Sequence, residues 1–174
     1  MTPTGPGEVP GFLPGLAVAA VVTGIAAPWL GHHLLIRRAH AAVIILSLGA
    51  IAAATLTPLH GWPDFASPPL PCDLSRVGLA PLRHLVGLND TSLNIVLFAP
   101  LGAALALVRR ARWRLLASAA ALPFLIETVQ LVVPPLARGC QSADVIDNLT
   151  GLVLGASLGW LARKVAAAIV QRGR

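Results

Sequence analysis

Charge is scarce in this chain. Thirteen Lys and Arg and seven Asp and Glu make up 11% of its 174 residues, against about a quarter in a typical soluble domain. With 56% hydrophobic residues it holds more apolar surface than a core of this size needs, which excludes an ordinary soluble domain and leaves an integral membrane protein. The formal net charge of +6 does not indicate a nucleic-acid partner, because the basic residues fall in short clusters between apolar spans and form no amphipathic stripe. Nucleotide-binding glycine loops, a zinc triad and long low-complexity tracts are missing, and there is no room for a second globular domain. Residues 1–174 therefore read as a single membrane domain, with no cofactor and no metal expected. The first residues, "MTPTGPGEVPG", have no positive n-region and precede no small-residue cleavage site, so a retained first span is expected in place of a cleaved leader.

What is present is long apolar runs. A hydrocarbon core about 30 Å thick needs about 20 apolar residues of helix, and five stretches meet that length. They run from about Phe12 to Leu35, Ala41 to Pro58, Thr91 to Val108, Arg114 to Val133 and Ala143 to Ala162. A polar, proline-rich segment at 59–90 separates the second from the third. Pro100 and Pro123 fall inside spans three and four, where kinks are expected and neighbours must satisfy the freed carbonyls. The fold class expected is an all-α membrane bundle of about five helices.

Basic residues near the span ends give an orientation. Arg37 and Arg38 follow span one, Arg109, Arg110, Arg112 and Arg114 surround the turn after span three, and Arg163, Lys164, Arg172 and Arg174 form a basic tail at 163–174. These are alternate connections and so lie on one side, expected to be cytoplasmic. The other connections hold only Arg76, Arg83 and Arg138. The N-terminus is then outside and the C-terminus inside, with the 59–90 loop external. All seven acidic residues, Glu8, Asp64, Asp73, Asp90, Glu127, Asp144 and Asp147, lie on the outer side or in the outer half of a span.

The two cysteines, Cys72 and Cys140, fall in the two outer loops, an oxidising setting where disulfides persist. A bridge between them is expected, the alternative being two unpaired thiols on one side.

"FLIETVQLVV" in span four carries Glu127 and Gln130 at i and i+3, on one helix face. Asp144 and Asn148 share a face at the outer start of span five, and Asn94 lies at the outer start of span three. Three spans thus bring polar groups to about one depth, with Arg138 in the short loop joining two of them. A lone carboxylate in a bilayer costs several kcal/mol and usually faces a partner or a wet cavity. Arg138 is the nearest candidate cation for Glu127 along the chain, with Arg83 an alternative. Asp147 points about 100° away from Asn148 and reads as a solvated first-turn residue. Gly151, Gly155 and Gly159 read as a small-residue packing row. His32 and His33 read as interfacial residues.

These residues carry a resemblance. "LNIVLFAPLG" (Leu93 to Gly102), "IETVQ" (Ile126 to Gln130), Arg138 and "DVIDNLTGLVLG" (Asp144 to Gly155), with "TLTP" at Thr55 to Pro58 as a weaker piece, resemble the VanZ-like family of small multi-pass bacterial membrane proteins. The core of the resemblance is 91–162. It places the family's polar positions on Asn94, Glu127, Gln130, Arg138, Asp144 and Asn148, and it implies a bacterial plasma membrane. The family's founding member is associated with teicoplanin resistance, so the implied context is the cell envelope and antibiotic resistance.

Three functions are compatible with the pattern. An outward-facing site could engage an envelope lipid, a lipid-linked precursor or a lipoglycopeptide. Glu127 and Asp144 could instead serve as an acid/base pair of an intramembrane enzyme, although no serine or cysteine nucleophile stands beside a base. The polar groups could also do no more than lock the helices together, as a scaffold. The partners expected are the lipid bilayer and, for the first reading, an envelope precursor or lipoglycopeptide. For the cysteines the outcome is direct: alkylation before reduction should leave the mass of the membrane-extracted protein unchanged, and reduction should expose two thiols.

Overall fold

The computed structural model describes residues 11–58, 71–85, 87–109 and 112–172. Five helices make up the fold: α1 (Phe12–Leu34), α2 (Arg38–Thr55), α3 (Asp90–Leu107), α4 (Arg112–Val132) and α5 (Ser142–Arg172). Each is long and apolar enough to cross a membrane. The boundaries lie within a few residues of those expected, apart from two ends. The second helix stops at Thr55 rather than Pro58, because proline cannot donate the next backbone bond. The fifth continues through the basic residues to Arg172, so the segment expected as a tail is helical as far as it is described. At 31 residues this helix is about 46 Å long and outruns the others. Glu8, Asp64, Arg110, Arg174 and the rest of the residues before 11 lie outside the described residues.

Exposed side chains match a lipid solvent. Val21, Ile25 and Val22 on α1, Leu125 on α4 and Val153 on α5 all face outward, Ile25 with 76% of its surface free. In water such a surface would be a large apolar patch; in a bilayer it is the contact face, and the helices satisfy their own backbone. The interior is small. Phe98, Leu101, Leu105 and Val108 of α3 and its C-terminal cap meet Ile44 and Ile51 of α2, Ile126 of α4 and Leu152 of α5.

Small residues set how closely the helices approach. In α1 and α2 a Cβ on Gly15 would meet Ala53, and one on Gly49 would meet Ala19, which fixes the two as antiparallel neighbours. The tightest pair is α3 with α5. A Cβ added at Gly151 would run into the carbonyl of Ile95, at Gly155 into that of Ala99, and at Gly159 into that of Ala103. Each step of four on α5 matches a step of four on α3, so the two helices run parallel in constant register. Packing without side chains between the backbones is the usual use of such a row in membranes, where tight van der Waals fit substitutes for hydrophobic burial.

The connectivity sends the starts of α1, α3 and α5 and the ends of α2 and α4 to one end of the bundle, with Arg37, Arg38, Arg109, Arg112 and Arg163 at the other. Near that second end the His40 ring bonds the Ala104 carbonyl at 2.7 Å, tying α2 to α3.

The glycine seam makes a sharp expectation. Gly155→Val should separate α3 from α5 and lower stability by about 3 kcal/mol, the scale of an overpacked core. Leu154→Val, one residue away but on the lipid face, should be nearly silent. Thermal unfolding of the two variants in the same detergent checks both.

Candidate functional site

Backbone chemistry begins the site. Helix α2 ends at Thr55, and the last carbonyls of a helix have no partner within it. Gln130 Nε2, reaching across from α4, donates to the Thr55 carbonyl at 2.9 Å. Arg138 Nε donates to the Thr57 carbonyl at 3.0 Å. The "TLTP" stretch is thus an acceptor for two of the site's side chains, and the negative end of the α2 dipole favours the cation placed on it.

The next layer is the start of α5. Its first amide, Ser142 N–H, donates to the Asp73 carbonyl at 2.9 Å, and Asp73 N–H donates to the Cys140 carbonyl at 2.8 Å. Cys72 and Cys140 are joined by a disulfide, with their Cα atoms 4.5 Å apart. Residues 71–76 therefore lie along the α4–α5 connection as a strap, pinned covalently at Cys72 and by both backbone groups of the next residue, Asp73. Ser142 Oγ adds a bond to the Arg76 carbonyl at 2.7 Å.

That strap delivers Arg76. Its guanidinium forks onto Asp147, Nη1 to Oδ1 at 3.0 Å and Nη2 to Oδ2 at 2.5 Å, and Nη2 also reaches the Ala143 carbonyl. Asp147 is only 1% exposed. The expectation of a solvated Asp147 is overturned: it points into the protein and forms the one ion pair among the described residues. Arg76, 71 positions away in sequence, is the residue that sequence reasoning missed. A first-turn acid next to a face of polar residues was the one available hint.

Around this frame stand the remaining side chains. Asn94 Nδ2 donates to Asp144 Oδ1 at 2.8 Å across the α3–α5 seam. Glu127, 5% exposed, accepts the Gln141 N–H on Oε2 at 2.6 Å. Arg138, the nearest candidate cation along the chain, forms no ion pair with Glu127 among the described residues: Arg138 is turned to α2 and Glu127 to the backbone beyond α4. They remain close enough to feel each other. Burial pushes the Arg138 guanidinium below its ordinary value, and the carboxylates of Asp144 and Glu127 push it back up; an arginine so placed stays a cation. Arg83 is exposed on a short turn at Leu82–Leu85 and serves as no partner to Glu127.

Two polar atoms are left over. Arg138 Nη2 and Asn148 Oδ1 are buried and bond no group among the described residues, and Asn148 is 1% exposed. A buried polar atom without a partner costs about 1–3 kcal/mol, more for a charged group. One spare cationic donor and one spare amide acceptor therefore stand at the end of the bundle that holds Glu127 and Asp144. Among the described residues, no three His, Cys, Asp or Glu side chains gather to hold a metal ion.

The VanZ/LLP1 family model matches residues 29–163. The chain belongs to the VanZ/LLP1 family. No curated protein and no solved structure matches it. The VanZ/LLP1 match reaches well beyond the second half of the chain that carries the clearest motifs. It takes in α2, the strap with Arg76 and Cys72, and α5 as far as Arg163, so every residue of the polar end described above lies within it.

The ion pair yields a test. Removing one partner of a buried pair leaves an uncompensated charge, a loss of about 3–5 kcal/mol. Arg76 is partly exposed, which places Arg76→Ala at the lower end of that range. Asp147→Asn in the Arg76→Gln background should recover part of the loss, because no charge is then left buried. A double-mutant cycle of thermal unfolding reads the coupling, and additive losses would show that the two side chains do not depend on each other.

Proposed function

We propose that the polar end of this VanZ/LLP1 protein faces the outside of a bacterial plasma membrane and binds the head group of a cell-envelope lipid or lipid-linked precursor. The observation that carries the reading is the pair of unpartnered buried atoms, Arg138 Nη2 and Asn148 Oδ1. A phosphate or carboxylate oxygen on the guanidinium is a charge-assisted bond of the stronger kind. A hydroxyl or amide N–H of the same head group would meet the asparagine oxygen. Glu127, Asp144, Asn94 and Gln130 line up as positioning groups, since each already holds a neighbouring element. The orientation rests on the distribution of Lys and Arg, which puts the basic end in the cytoplasm. An outward site on envelope lipids would account for tolerance to lipoglycopeptides that engage the same lipids, the context the family's founding member implies.

A scaffold and a site respond differently to conservative change. Arg138→Gln and Asp144→Asn should abolish protection against lipoglycopeptide or envelope stress by about tenfold or more in inhibitory concentration, the effect of losing one charged contact, with membrane abundance unchanged. Glu127→Gln should act more weakly, because the amide keeps an acceptor for Gln141 N–H. Loss of abundance in step with loss of phenotype would instead mean that these groups only hold the helices. Silence of all three variants in every assay would sink the proposal.

A further inference from the structure

The opposite end of the bundle carries charged side chains that the reading above does not use. Among the described residues two adjoining cavities open there. The larger, about 600 Å³, lies between the end of α3 and the extension of α5, with Leu107, Ala167 and Val170 as its apolar wall and Arg109, Arg163 and Gln171 as its polar groups. The smaller, about 290 Å³, lies at the first turn of α4 and is lined by Arg109, Arg112, Trp113 and Arg114. Arg109 belongs to both. One guanidinium therefore joins two adjoining concavities, the larger with Arg163 besides and the smaller with Arg112 and Arg114.

Among the described residues these charges have no ion-pair partner. No Asp or Glu occurs between Asp90 and Glu127 or after Asp147, and the one ion pair among the described residues is at the far end. The arrangement at α4 is unfavourable by itself. Its first turn holds no acidic residue and opens instead on Arg112 and Arg114, against the positive end of the helix dipole. An anion seated there would meet the positive end of the helix dipole and neutralise the arginines together.

Tryptophans place these cavities at a definite depth. Trp29, Trp113 and Trp160 all lie toward this end and are exposed, Trp113 by 71%, and such rings belong at the level of lipid head groups. Arg112 stacks over Trp113 at 5.1 Å and Lys164 over Trp160 at 5.3 Å. An anion at that depth, beside an apolar wall, is a lipid phosphate. We infer that this end binds an anionic phospholipid whose head group carries two phosphates, one held by Arg109 and Arg163, the other at the first turn of α4. Basic pockets between membrane helices bind lipids of that kind. The inference does not rest on the polar end or on what that end binds.

The test is lipid retention by the full-length detergent-purified protein, read by native mass spectrometry from an equal mixture of diphosphatidylglycerol, phosphatidylglycerol and phosphatidylcholine. The two-phosphate lipid should be retained preferentially over both others. Arg109→Gln with Arg163→Gln should reduce that preference by about tenfold or more, the size expected for two interfacial arginines. Lys164→Gln with Arg172→Gln removes the same formal charge outside both cavities and should leave it intact. Equal retention of the one- and two-phosphate lipids by the unmutated protein overturns the inference without any variant having to fold. So does equal loss in the two double variants, or saturation by inorganic pyrophosphate with no lipid selected.

Discussion

Direct contact between the backbones of α3 and α5 positions everything at the polar end. Three glycines of α5 lie against three carbonyls of α3 in constant register, so neither helix can slide without collision. That register brings Asn94 level with Asp144, close enough for a hydrogen bond across the seam. It also sets the height at which α5 begins, and with it the height of Asp147 and Asn148. In a bilayer this close fit matters more than in water, because burying apolar side chains between helices gains little when the solvent is itself apolar.

The polar end is then assembled by satisfying backbone groups that helices leave open. Carbonyls at the end of α2 take Gln130 and Arg138, the first amide of α5 takes the Asp73 carbonyl, and Glu127 takes the amide of Gln141. All but the Glu127–Gln141 bond join elements distant in sequence. Among the described residues, the buried side-chain atoms left without a partner are Arg138 Nη2 and Asn148 Oδ1, one donor and one acceptor. The strap, held by the Cys72–Cys140 bridge, brings in Arg76 to neutralise Asp147. Arg138 keeps its uncommitted nitrogen within the electrostatic reach of the Asp144 and Glu127 carboxylates.

Much of this was legible in the residues. Five spans, their approximate ends, the glycine row and the convergence of Asn94, Glu127, Gln130, Asp144 and Asn148 follow from apolar run length and helical spacing, both of which are local. Pairing was not legible. Arg138 is the nearest cation to Glu127 along the chain, yet its guanidinium turns to Thr57, because the loop after Pro134 and Pro135 reverses through a left-handed residue at Ala137 and a lone carbonyl end was waiting. Asp147 looked solvated because its partner arrives from a loop whose path depends on a disulfide, two backbone bonds and the Ser142 hydroxyl.

The sequence by itself determined that this is a multi-pass membrane protein, where its helices lie, which residues share a helix face and that its two ends differ in charge. Those properties depend on how many apolar residues stand in a row and on a 3.6-residue period, and neither needs a fold. Only the tertiary structure decided which charges meet and which polar atoms stay unpaired. Such choices turn on a few ångströms between elements separated by dozens of residues, and the close approach at glycine, the bridge between loops and the open carbonyls of α2 set those distances jointly.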